Sequence, residues 1–221
     1  MPVLNEAAGM AGALAALAPL ISNGARMIIV DGGSTDATVA IALAGQSPAV
    51  TVTRSSPGRA LQMNAGAAQA TGKTLLFLHA DTALPENADA LIQQALASGS
   101  HVWGRFDVHI DGKSAWFPVI AALMNLRSRL TGIATGDQAF FMTQAAFKTM
   151  NGFTVQPLME DIDMSQRLLN LSRPACLRQK VLTSGRRWDT RGVLATMVLM
   201  WRLRFAYWRG VPAEQLAKLY Q

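Results

Sequence analysis

The residues best placed for chemistry are three acidic groups, each following an apolar or turn-marked stretch. Asp31 follows Met27–Val30 and opens the turn "DGGSTD". Asp81 follows Leu75–Leu78 in "LLFLHADTALP". Glu160 and Asp161 open "EDIDMSQRLL", after a segment marked by Gly152 and Pro157. In an open α/β sheet, ligands bind at the carboxyl ends of the strands. Carboxylates gathered there can hold a divalent cation through hard oxygen ligands, or take a proton as a general base. Each group also has a structural reading. Asp31 and Asp36 can cap a turn and the next helix, Asp81 can close an Asx-turn, and Glu160 and Asp161 can favour a helix N-terminus through its dipole. Their joint occurrence, in this order, favours a shared site.

The elements that must position them alternate along the chain. Residues 6 to 21 are helical in pattern, Met27–Val30 is a short strand, and residues 35 to 44 are helical again. "AVTVTRS" alternates as a strand does. "SSPGRALQMNAGAAQATG" predicts a helix with a serine cap, a proline in its first turn and Gly72 as its stop. "TLLFLHAD" predicts a buried strand, and residues 86 to 97 another helix. This β-α-β-α order predicts a parallel sheet covered on both faces. "HVWGRFDVHI" then alternates, with Gly104, Phe106, Val108 and Ile110 on one side and Trp103, Arg105, Asp107 and His109 on the other. That predicts a strand with one working face. A helix over 114 to 130, a strand in "DQAFFMT", a helix over 160 to 171 and a strand over 175 to 182 complete the pattern.

The tail, Gly192 to Arg209, has an uncharged run up to Trp201, about half of the ~20 residues a membrane span requires. It predicts a terminal helix with two possible settings. One is packing on the core; the other is the lipid headgroup zone, with Trp201, Phe205, Tyr207 and Trp208 at the interface. Arg191, Arg202 and Arg209 fall on one side of that helix.

The bulk numbers set limits. The chain has 221 residues, enough for one large domain, and is 50% apolar and 15% charged, which excludes disorder. A single cysteine, Cys176, excludes an intrachain disulfide and fits a reducing compartment. The opening "MPVLNEAAGM" shows neither a basic start nor a cleavage site, so a cytoplasmic protein is expected. "PVLNE" reads as the end of a first strand that is short or truncated. The net charge is +6, and ten of the 20 Lys and Arg residues but two of the 14 acids lie from Arg173 onward. A basic tail on a near-neutral body points to a phosphate-rich partner or an anionic membrane surface. No nucleic-acid-binding motif is present, and nucleic acid is not an expected partner.

Seven stretches, in order, resemble the family 2 glycosyltransferases of GT-A fold: "PVLNE", "VDGGSTD", "GRALQMNAGA", "HADT", "GDQAFF", "MED.D...RL" and "RRW". The match is closest to the small bacterial transferase 2 group associated with radical-SAM/selenodomain proteins. The resemblance implies a mostly parallel central sheet flanked by helices over residues 1–190. It implies a C-terminal amphipathic helical extension over 191–221, packed on the core, a membrane or a second copy. It further implies inverting transfer from a nucleotide-diphosphate sugar, with UDP favoured, assisted by Mn²⁺ or Mg²⁺.

The same resemblance assigns roles. Asn5, Glu6, Asp31 and Ser34 match the nucleoside-binding edge, where a carboxylate accepts from uracil N3–H. Arg59 reaches the diphosphate. His79-Ala80-Asp81 stands in place of the family's Asp-X-Asp, so Asp81 is the expected metal ligand, and His79 can bond a hydroxyl or ligate Mn²⁺. Asp161 is the expected general base, with Glu160 beside it, and Gly136 and Asp137 line the acceptor side. Arg186, Arg187 and Trp188 match a basic-aromatic motif. It would pair with the donor diphosphate or a polyprenyl-phosphate acceptor, with Trp188 stacking on a sugar. Lipid-linked acceptors place the protein at the inner face of the cytoplasmic membrane. A second reading is a GT-A-fold scaffold or peripheral membrane protein that has lost catalysis. His79, the abrupt start and the basic aromatic tail favour it. A dehydrogenase is excluded because no G-x-G-x-x-G follows the early strands. A sugar nucleotidyltransferase would need a basic Gly-rich loop where "NEAAGMAG" has no basic residue.

Overall fold

Apolar runs without alternation become strands buried on both faces, and "MIIVD" is such a run. In the computed structural model, which describes residues 1–44, 47–186 and 192–220, it forms β2 (Met27–Asp31) at the centre of a parallel sheet ordered β1-β2-β3. Strand β1 is Pro2–Val3 and β3 is Val50–Arg54; both pair with β2 in parallel. Helix α1 (Ala7–Ser22) connects β1 to β2, α2 (Thr38–Ala44) connects β2 to β3, and α3 (Arg59–Gln69) follows β3. This is the parallel sheet that the β-α-β-α pattern predicts, with a short first strand, but the strand in "TLLFLHAD" leaves it and pairs antiparallel in the second sheet.

The second half is a mixed sheet ordered β4-β7-β6-β8-β5. Its strands are β4 (Thr74–Phe77), β5 (Thr82–Ala83), β6 (Trp103–Asp111), β7 (Phe140–Thr143) and β8 (Ala175–Ser184). Strands β6 and β8 run parallel, whereas β4–β7, β6–β7 and β5–β8 are antiparallel. Its helices are α4 (Ala88–Ala97), α5 (Phe117–Thr131), α6 (Gln144–Thr149) and α7 (Glu160–Leu168). At the junction of the two sheets, the Gln62 amide on α3 donates to Val3 O at 2.9 Å and Val30 O at 2.8 Å. That pins α3 across the ends of β1 and β2.

Three sequence expectations give way in the structure. The first is the cap of α3. Gly58 is its N-cap at φ 135°, no side chain caps the helix, and Pro57 stands before it. Glycine tolerates that left-sided backbone, so the chain turns sharply and neither serine reaches the helix end. The second is the strand before Asp81. Strand β4 ends at Phe77, and residues 79 to 82 form a turn closed by Thr82 N–H on His79 O at 3.2 Å. The chain must leave β4 there because β5 pairs with β8, on the far side of the sheet.

The third is the single working face of β6. Phe106, Val108 and Ile110 sit in one apolar cluster and Trp103 in another, where it stacks on Phe140 at 5.2 Å. Arg105 is fully buried against Asp107, which also accepts from Arg129 on α5 at 2.7 Å. Charges can stand on a buried face when they are paired with one another. His109 and Asp111 alone on this strand are exposed.

The tail forms α8 (Val193–Trp208) and α9 (Ala213–Tyr220). Leu203 and Leu216 join Met159 and Ile162 in a cluster that docks both helices on α7. The other side of α8 leaves Val198, Trp201, Phe205 and Trp208 exposed. Tyr207 turns inward instead, where its hydroxyl accepts from Gln156 at 3.2 Å. Among the described residues, no helix is long and apolar enough to cross a membrane.

Candidate active site

The turn after β2 and the residues after β1 are tied into one rim. Asp31 is fully buried; its carboxylate accepts from Ser34 N–H at 3.0 Å and Gly33 N–H at 3.2 Å, with Arg54 at 3.8 Å. Burial alone would raise its pKa. The bonds from Ser34 and Gly33 and the Arg54 charge outweigh that, and hold it below the usual carboxylate range. Asn5, at φ 54°, donates its N–H to Ser34 Oγ at 2.9 Å and accepts from Thr35 N–H at 2.9 Å. Glu6 N–H meets Thr38 Oγ1 at 2.8 Å, and Ala7 N–H meets Asp36 at 3.1 Å. Asn5, Asp31 and Ser34 thus come together in space, but Asp31 is engaged by its own turn, and of this rim's expected residues only Glu6 lines the cleft described next. Arg186 joins this rim by reaching Glu6 at 3.4 Å.

Between the two sheets opens a cleft of about 340 Å³, lined by Glu6, Arg59, His79, Ala80, Asp81 and Asp137 among others. The turn that carries Asp81 is anchored to β8. Ser184 N–H bonds Asp81 O at 3.2 Å, and the hydroxyls of Thr82 and Thr183 lie 3.1 Å apart. The Asp81 carboxylate is exposed and takes a long bond of 3.4 Å from Thr82 Oγ1. His79 turns the other way, with Nδ1 3.4 Å from Asp137 Oδ1. Its ring lies so close to Gly136 that a Cβ there would stand 2.5 Å from Cε1 and Nε2. Glycine at 136 is what allows the histidine to pack there.

The opposite rim is a cluster of charges. Asp161 accepts Gly136 N–H at 2.8 Å and Ile162 N–H at 2.8 Å, which fixes the 136–138 turn against the start of α7. Glu160 is buried, 3.7 Å from Arg59. Burial, and then the neighbouring Asp161 charge, push the Glu160 pKa up, and Arg59 pulls it back only in part. Arg59 is desolvated, which would lower its pKa. The carboxylates of Glu160, Asp137 and Asp161 reverse that and keep it firmly charged. Asp163 faces away, bonded to Arg167 and Thr154.

Among the described residues, no three His, Cys, Asp or Glu side chains converge as a ready cation site. One exposed carboxylate, Asp81, suits a cation whose other ligands are diphosphate oxygens and water, the usual manner of Mg²⁺ beside phosphates. Gly58, Gln62, Met124, Thr183 and Ser184 also line the cleft and escaped the sequence reading. Gln62 carried a signal, being a polar residue three positions after Arg59 on the same helix face; the apolar Met124 carried none. Arg187 and Trp188 lie outside the described residues.

The family model described as glycosyl transferase family 2 matches residues 1–157, which stops just before Glu160 and Asp161. No curated protein matches the chain significantly. Among solved structures, Staphylococcus aureus TarS 1–349 in complex with UDP-GlcNAc is similar at 16% identity and TM-score 0.65, over 83% of this chain and 56% of that one. A Pyrobaculum calidifontis mannosyltransferase in complex with GDP-Man and Mn²⁺ aligns at 18% identity and TM-score 0.63, over 93% and 59%. Glucosyl-3-phosphoglycerate synthase from Mycobacterium tuberculosis, with Mn²⁺ and UDP-Glc, aligns at 20% identity and TM-score 0.62, over 96% and 78%. The chain spans less than two thirds of the TarS and mannosyltransferase chains. At these identities the likeness shows a shared GT-A fold.

Proposed function

The chain belongs to glycosyl transferase family 2, and on that premise we propose that it moves a sugar from a nucleoside-diphosphate donor to an acceptor hydroxyl with inversion. The observation that carries this reading is one cleft with two rims. Asp81 and Arg59 open onto it, and the Asp137, Glu160 and Asp161 carboxylates gather around Arg59. The acceptor oxygen bonds to the anomeric carbon as the bond from that carbon to the diphosphate breaks and its electron pair leaves with the diphosphate. Asp161 takes the hydroxyl proton. Arg59 holds negative charge on the leaving group. Asp81 would hold a Mn²⁺ or Mg²⁺, which when bound neutralises diphosphate charge. The Asn5–Ser34 rim, with Glu6, receives the nucleoside. UDP is the first choice of donor, in keeping with the UDP-sugars bound by two of the similar structures.

The test is calorimetric titration of UDP, GDP and dTDP, each with and without Mn²⁺ or Mg²⁺. Metal-dependent binding of UDP is expected. Binding of none of the three removes the transferase reading and leaves the scaffold reading.

A lipid-linked acceptor at an anionic membrane surface is the setting we favour. Trp201, Phe205 and Trp208 stand exposed on α8 beside Arg202 and Arg209, the pairing that suits headgroups. Sedimentation with phosphatidylglycerol vesicles should fall when Trp201 and Trp208 are both changed to serine. A dimer that dissociates on the same change, with no vesicle binding, would make a second copy the partner instead.

A further inference from the structure

Arg127 is a charged group with no role in the mechanism above. It lies on α5, one turn after Met124, which lines the cleft. Its Nε and Nη2 atoms are shut off from solvent and have no hydrogen-bond partner among the described residues. These two donors share one edge of the guanidinium, the edge that grips two oxygens of a phosphate side by side.

The acids nearby are committed elsewhere. Asp107 serves Arg105 and Arg129. Asp161 holds the N–H groups of Gly136 and Ile162. Gln138, in the 136–138 turn, donates to Ser128 beside Arg127 at 3.2 Å, which sets Arg127 next to the rim that carries the proposed base, and the Asp161 and Asp137 charges bear on it. Burial draws its pKa down from the usual arginine value, the Arg105 charge adds to that, and the two carboxylates oppose it. A charged donor kept from both water and partner is unfavourable, and an anionic ligand relieves it.

We propose that Arg127 is an anion subsite for the acceptor, which carries a phosphate group close to the hydroxyl that receives the sugar. Arg127 itself does not line the cleft, so the long side chain swings its Nε–Nη2 edge one turn along α5, to the level of Met124, when it takes two phosphate oxygens. This rests on the transferase reading of the same cleft.

The test is titration of inorganic phosphate into the full chain, with and without saturating UDP and Mn²⁺. It compares wild type, Arg127→Gln, Arg127→Lys and the surface control Lys180→Gln. Wild type and Lys180→Gln should bind phosphate alike. Arg127→Gln should bind it at least about tenfold more weakly, as expected for a charge-assisted hydrogen bond, with UDP affinity unchanged. Arg127→Lys restores the charge without the edge and should recover only part of the affinity. Equal phosphate binding by wild type and Arg127→Gln, or none by either, overturns the subsite, and full recovery by lysine overturns the two-oxygen grip.

The source of the phosphate is read from glycerol 3-phosphate in solution against phosphatidate in phosphatidylcholine vesicles. Arg127-dependent binding of either one supports the subsite and names the acceptor as soluble or lipid-borne. The two readings fail separately. UDP binding without Arg127-dependent phosphate binding removes the subsite alone. Arg127-dependent phosphate binding without nucleotide binding removes the transferase reading and leaves an anion site.

Discussion

On the rim built from β1 and the turn after β2, Asn5, Glu6, Asp31, Ser34 and Asp36 are tied to neighbouring backbone by hydrogen bonds of 2.8 to 3.2 Å. On the rim built from α7 and the 136–138 turn, Arg59 meets Glu160 at 3.7 Å and His79 meets Asp137 at 3.4 Å. The first rim has little freedom, because hydrogen bonds join the residues after β1 to the turn after β2 and close Asp31 onto its own turn. The second sets carboxylates against one another and against Arg59, so the protonation of Glu160 can change. A rigid edge suits recognition of a base and ribose; a charge cluster suits proton transfer and a charged leaving group.

The sharpest way to break this comparison is to remove the proposed base. Asp161→Asn should lower transfer by roughly 10²- to 10⁴-fold while leaving nucleotide affinity intact, because the amide oxygen keeps the bond from Gly136 N–H and only the one from Ile162 N–H is lost. Donor turnover at the wild-type rate would take the base away from Asp161. Asp81→Ala comes next. Metal-dependent UDP binding should weaken by at least about tenfold, whereas metal-free binding should stay the same. A calorimetric titration that shows no loss would take the cation off Asp81.

The hinge between the rims comes third. Gln62→Leu removes both bonds to Val3 O and Val30 O, which should destabilise the fold by about 2 kcal/mol and lower Tm by roughly 4–8 °C. An unchanged melting curve would mean that α3 is held by packing alone.

The smallest effects should separate the rims by sign. Asp31 has a lowered pKa in the fold, so its stabilisation is present above the unfolded value of 3.8 and fades as pH falls through the folded value. The cost of Asp31→Asn should therefore shrink in acid. Glu160 has a raised pKa, so its contribution is complete below the unfolded value of 4.5 and is lost as pH rises through the folded value. Glu160→Gln escapes that loss, and its Tm relative to wild type should rise from pH 4 to pH 7.5. Parallel trends for the two variants would dissolve the distinction between the rims.

How much of this was legible beforehand follows the same division. The turn "DGGSTD" reads correctly because Asp31 bonds the N–H groups two and three residues ahead of it, and such bonds depend on local spacing alone. The start of α7 at Glu160 is equally local, as is the apolar run of β2. The serine cap of α3, the strand reaching Asp81 and the single working face of β6 read wrongly. For the cap the cause is one residue, Gly58 turning the chain into α3. For the other two a distant element decides: β8 drawing β5 across the sheet, and the Asp107–Arg129 pair filling the polar face of β6.

The sequence by itself determined the alternation of helices and strands through β4 and the parallel half of the sheet. These follow from apolar periodicity and short-range hydrogen bonding, which extend over a few residues. Only the tertiary structure decided that His79 faces Asp137 rather than Asp81, that Glu160 is buried beside Arg59, and that two Arg127 donors near Asp161 have no partner among the described residues. Desolvation and charge pairing depend on which groups arrive at the same point in space, and no local pattern in the chain encodes that meeting.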